Sequence, residues 1–141
     1  MISNDIRTAI KAVLDSYKGE GKPLIDVFDE HCVGFSGYPS VMFEPGKIDS
    51  EFETNQQNLD HYEYILVIHQ EIEKVGRSEA IGILNDITDT LRAEFSKEDF
   101  LSDVVDWVNA VSSEPDIYDE GAGKVMYRLI KLVCNKAVSI N

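Results

Sequence analysis

Two glycine–lysine pairs, Gly21-Lys22 and Gly123-Lys124, have residue types suited to phosphate chemistry, because a glycine-rich turn before a lysine can cradle phosphate with backbone N–H groups. Their spacing does not fit. A Walker-type loop needs a glycine five positions before the second glycine, and a Ser or Thr after the lysine as magnesium ligand. Those places hold Ser16 and Pro23, or Tyr118 and Val125. Three histidines, His31, His61 and His69, could hold a metal or move a proton. His61 and His69 share the parity of one predicted strand, but eight residues of strand separate them by roughly 26 Å, too far for one ion. His31 stands beside Cys32 with no second ligand pair at zinc spacing. Cys32 and Cys134 form neither a CxxC pair nor a disulfide framework, so both are expected as reduced thiols. With 26 Asp and Glu in the chain, a pair such as Asp86 and Asp89 carries no signal, because i, i+3 carboxylates on a helix's polar side are solvated. The chain has no Gly-x-Ser-x-Gly elbow. The expectation is a protein that is not an enzyme, with no catalytic residue, cofactor or metal.

The elements that would position any site follow from periodicity. Ile6, Ala9, Ile10, Val13, Leu14 and Tyr17 recur at three and four, predicting a first helix capped by Ser3 and ended by Gly19, Gly21 and Pro23. Short strands are expected near Leu24 to Asp29 and over Ser40 to Glu44, the second closed by the Pro45-Gly46 turn. A long strand spans about Leu59 to Ile72. Tyr62, Tyr64, Leu66 and Ile68 share one parity, while Ile65, Val67 and His69 share the other, so its middle should be buried on both faces. Ser78 caps a second helix carrying the stripe Ala80, Leu84, Ile87, Leu91 and Phe95. A helical turn at Glu98 to Ser102 then precedes a strand from about Val104 to Ser113. Glu114 to Gly123 reads as a hairpin turn, and Lys124 to Val138 as the last strand. The order is α-β-β-β-α-β-β, in one domain over 1–141.

Charge narrows the partners. The 141 residues carry 13 Lys and Arg against 26 Asp and Glu, a net charge of −13. Such a field repels nucleic-acid phosphate, so DNA would pass without binding. The middle third, residues 51 to 100, holds 12 acidic and 4 basic side chains, a net −8. No apolar run approaches the roughly 18 residues of a membrane span, and the start, Met1-Ile2-Ser3-Asn4-Asp5, has neither the basic nor the apolar region of a secretory signal. A cytoplasmic origin is expected, with no membrane partner.

The polar segment from Lys47 to Asn58, with only Ile48 and Phe52 apolar, reads as a long loop or arm between two strands, and loops of that length usually have a function or are unordered. Together with Gly37-Tyr38-Pro39-Ser40-Val41-Met42-Phe43-Glu44-Pro45 and the aromatic start of the long strand at Tyr62, the arm residues Glu51-Phe52-Glu53-Thr54 and Asn58 resemble the tail terminator proteins of long-tailed bacteriophages. Val104-Val105-Asp106-Trp107-Val108, Pro115, Tyr118 and Gly121-Ala122-Gly123 extend the similarity over nearly the whole chain. The resemblance implies an α+β subunit, mainly antiparallel sheet packed against two main helices. It also implies a hexameric ring of identical copies that caps the tail tube, ends its polymerisation and docks the head–tail connector at the neck, within the virion at the head-proximal end of the tail. On this reading Ile48, Glu51, Phe52, Thr54 and Asn58 form the subunit or tube interface. Glu51, Glu53, Asp60 and Glu63 are candidates for an acidic lumen through which DNA passes.

Three other readings fit the same residues. A neighbouring head–tail connector or head-completion protein of the same neck shares the architecture. A cytosolic adaptor unrelated to phage would dimerise through a sheet edge. A small hydrolase would gather dispersed acids with His31 or His69 in a deep pocket.

Overall fold

Apolar and aromatic residues fall on both parities in the middle of the stretch 57–71, and a strand of that kind belongs at the centre of a sheet with cover on both faces. The computed structural model, which describes residues 2–29, 37–52, 57–97, 105–120 and 123–139, places it there. The elements are α1 (Ile2–Ser16), β1 (Asp26–Phe28), β2 (Ser40–Phe52), β3 (Gln57–Glu71), α2 (Arg77–Phe95), β4 (Trp107–Ser112), β5 (Asp116–Glu120) and β6 (Gly123–Ser139). The fold is α+β, with the expected order of helices and strands and one further short strand, β5. The sheet order is β1-β2-β3-β6-β4, and β5 follows β4 along the same side of β6. Among the described strands β1 and β2 run parallel and the other pairings are antiparallel.

Both helices lie on one face of this sheet. On α1, Ile6, Ile10 and Leu14 are fully buried, one helical turn apart, while Arg7 and Lys11 form ion pairs with Asp29 (3.0 Å) and Asp15 (2.8 Å). On α2 the buried stripe is Ala80, Leu84, Ile87, Thr88, Leu91 and Phe95, as the periodicity predicts. It packs over β3, β6 and β4. The sheet contributes Val41 and Phe43 from β2, Tyr64, Leu66 and Ile68 from β3, and Ile130, Leu132 and Cys134 from β6. On the opposite face Met42, Val67, His69 and Val125 are also buried, so the middle of β3 has cover on both sides.

Four local expectations are corrected. Ser3 lies within the first turn of α1 rather than before it, and its carbonyl accepts a hydrogen bond from the Tyr64 hydroxyl at 2.9 Å. The N-cap of α2 is Gly76 rather than Ser78, because the chain enters the helix with φ of 83°, which favours glycine, and no side chain caps the end. Pro45-Gly46 does not end β2: a bulge between Pro45 and Ile48 absorbs the irregularity, and the strand runs on to Phe52. Asp116–Glu120 is a strand rather than a turn, since the β-forming Ile117 and Tyr118 pair with Met126 and Val125 of β6. The break between β4 and β5 is held by Arg128, which donates to the Ser113 carbonyl at 2.8 Å and to Asn85 Oδ1 on α2 at 2.6 Å. The helical turn expected at Glu98 to Ser102 lies outside the described residues.

Ile130 is fully buried where β6 faces α2, so Ile130→Ala should lower unfolding free energy by about 2–5 kcal/mol. Denaturant titration with an unchanged m-value checks this.

Candidate functional site

Past the helical layer the sheet continues on β2, β3 and β6, with β4 alongside β6 as far as Asn135 and these three strands alone beyond it among the described residues. Buried core residues stop at Phe43 on β2, begin at Tyr64 on β3 and end with Cys134 on β6. Beyond Tyr62, the partner of Cys134, β3 extends five residues to Gln57, about 17 Å, paired throughout with β6 and, from Phe52, with β2. Residues expected as a loop therefore form ladder. Register fixes where the predicted interface residues stand: Ile48 opposes Tyr62, Glu51 opposes Leu59, and Phe52 opposes Asn58. Ile48 is 62% exposed and Asn58 half-buried. For Glu51 and Phe52 the backbone alone is described, and Glu53 and Thr54 lie outside the described residues.

Alternation separates the lumen candidates. Asp60 shares the parity of Tyr62 and Tyr64 on the helix-bearing face, where it accepts the Ser50 hydroxyl. Glu63 stands on the opposite face, opposite Val133. Its side chain lies against Gly46, where an added Cβ would come within 2.9 Å of it, and its carboxylate pairs with Lys131 at 3.4 Å. Lys47 and His61 line the same shallow hollow, and His61 bonds Asn135. Asp60 and Glu63 thus front different surfaces.

At the root of the overhang a groove of about 460 Å³ separates the start of α1 from the bulged segment of β2. Tyr62 and Tyr64 form its floor, and Arg7, Asp29, Pro45 and Ile48 its rims. Burial raises both phenols above their usual range; Asp60 pushes Tyr62 further the same way, while Arg7 partly offsets the rise at Tyr64. Both therefore stay protonated and act here as hydrogen-bonding aromatic surface. Next to Tyr62 across the ladder, burial pushes the Cys134 thiol up to about 12.

Sequence reasoning missed the far side of the sheet. Trp107 and Val111 on β4 are 47% and 59% exposed, while Val108 and Ala110 between them pack toward the core. The alternating pattern Trp107-Val108-Asn109-Ala110-Val111-Ser112 carried that signal. Of the three histidines, His61 and His69 lie on β3 as expected, and His31 lies outside the described residues. Among the described residues no three His, Cys, Asp or Glu side chains converge on a point that could hold a metal. No helix of the described chain is long and apolar enough to cross a membrane. No protein-family model matches the sequence, and no curated protein matches it.

In a Cys32→Ser background, Cys134 should remain unmodified by a thiol reagent at pH 8 and react fully once denaturant unfolds the chain, because thiolate is the reacting form. Reaction of the folded variant at the rate of a free thiol would contradict this burial.

Proposed function

We propose that this chain is a structural virion protein of a long-tailed bacteriophage, assembling as a hexameric ring that caps the tail tube, ends its polymerisation and presents a surface to the head or neck. One observation supports the reading most: the three-stranded overhang. A sheet that continues some 17 Å past the Tyr62–Cys134 pair adds no further residue to the buried apolar core among the described side chains, yet it presents a surface with the exposed, apolar Ile48 at its base. That is the form a contact with a neighbouring ring requires. The residues quoted for the resemblance, from Gly37 to Tyr62, make up β2, the overhang and the start of β3.

In this account the mechanism is control of assembly, not bond chemistry. The segment Ile48 to Asn58 docks on the last tube ring, and the opposite side of the assembled ring lacks the surface that would add another tube subunit. DNA passes through the ring without specific binding, repelled by a net −13 on each copy. A head–tail connector of the same neck would use the same overhang, and only contact with the tube end separates the two.

Added to the polymerising tube protein of its own phage, the wild-type chain should arrest growth and leave density at one end of each tube. Phe52→Asp should lose the arrest while keeping the wild-type circular dichroism and melting temperature. Arrest by this variant equal to wild type would remove the arm from the contact. Tubes that ignore the wild-type chain would contradict the proposal.

A further inference from the structure

A sheet edge with free N–H and C=O groups is a template for another strand, so an open edge must either take one or be closed. The two sides of this sheet meet that constraint differently. Past Met42, β2 has no strand on its outer side among the described residues, but it carries its own obstacles. Pro45 lacks an N–H, the bulge to Ile48 breaks the ladder, and Lys47, Asp49 and Glu51 put a charge at every second position. β4 has none of these. Trp107-Val108-Asn109-Ala110-Val111-Ser112 holds no charge, no Pro and no Gly, and its Trp107 and Val111 are exposed, which is the composition of a strand that pairs with copies of itself.

The phase of the ladder decides which backbone groups on this side are open. The Ser113 N–H donates to the Leu129 carbonyl at 2.9 Å, so odd-numbered residues of β4 turn their backbone groups toward β6, and Val108, Ala110 and Ser112 turn theirs outward. On β6 the odd-numbered residues face β4, and past Asn135, where β4 ends, Ala137 and Ser139 face outward. Each of these stretches is met by one charged side chain from outside it. Arg92 of α2 donates from Nε to the outward Ala110 carbonyl at 3.3 Å, in the middle of β4. Asp106, the residue before β4, donates its own N–H to the Asn135 carbonyl at 2.7 Å and accepts the outward Ala137 N–H on Oδ2, also at 2.7 Å. An incoming strand would have to displace both charge-assisted bonds and cover both charges.

We infer that Arg92 and Asp106 are edge guards, which keep the β4 and β6 side of the sheet from adding a strand of a second copy. The uncharged β4 lacks the obstacles built into β2, and these two side chains supply them. Copies of the chain then meet through other surfaces. The guarding holds whether or not they form the ring proposed above.

Hydrogen exchange and light scattering on the full chain test the inference. In Asp106→Ala the Ala137 amide should exchange about tenfold faster than in wild type, because a bond to a charged acceptor is lost. Val138, whose backbone faces β3, should keep its rate. With Arg92→Ala added, thioflavin-binding aggregates should appear at about one-tenth of the concentration that wild type needs. Ala110→Pro in that double variant should suppress them, since it removes an outward N–H without costing a ladder bond. Should Arg92→Ala disturb α2, Arg92→Met keeps the apolar stem and removes the donor. An unchanged Ala137 rate, a double variant as soluble as wild type, or aggregates that Ala110→Pro leaves untouched would each overturn the guarding role.

Discussion

Fifteen consecutive residue pairs between β3 and β6, from Gln57↔Ser139 to Glu71↔Val125, form the ladder from which the rest of the molecule hangs. β2 adds to its β3 side, and β4 and β5 line its β6 side one after the other. One half of the ladder supplies the floor on which both helices bury their stripes. The other end continues with no described helix above it and becomes the overhang. Core and candidate contact surface therefore belong to one pair of strands, and anything that shifts the β3–β6 register moves every side chain of both to the wrong face.

The same alternation sorts the functional candidates. Tyr62, Tyr64 and Asp60 share the helix face with the α1 groove, while Glu63 and His61 share the other with Lys131. At the α1 and α2 ends, Tyr17 donates to Glu94 at 3.2 Å, and Lys97 bonds the same carboxylate at 2.8 Å, holding Glu94 below its ordinary range. These polar contacts fix how the helices sit, but most of the binding between layers comes from fully buried residues such as Ile10, Phe43, Leu84 and Ile130. Charge enters mainly as a constraint on association. At net −13, copies repel one another unless their few cations meet acids.

Much of the fold was legible in the sequence because period and burial agree. The α2 stripe and the two-faced middle of β3 follow directly from spacing. Boundaries were lost where a residue's local preference is overridden by pairing. Pro45-Gly46 reads as a turn, yet β3 is long enough to hold β2 through the bulge and on to Phe52. Glu114 to Gly123 reads as a turn because its acids and glycines outnumber Ile117 and Tyr118, but those two meet an open stretch of β6 and form β5. The overhang was legible only as a segment without helical period. Its strand character depends on β6, more than sixty residues away, and local patterning cannot carry that. The acidic-lumen residues looked alike in sequence because all are carboxylates near one strand. Their opposite faces follow only from register.

Electron microscopy of the purified wild-type chain, over a concentration series in low salt and in physiological salt, tests the central claim most directly. The account predicts closed rings with a central opening and six-fold averages, more abundant as concentration rises and as salt screens the repulsion between acidic copies. Monomer-sized particles throughout the series, or dimers that never close around an opening, would contradict it.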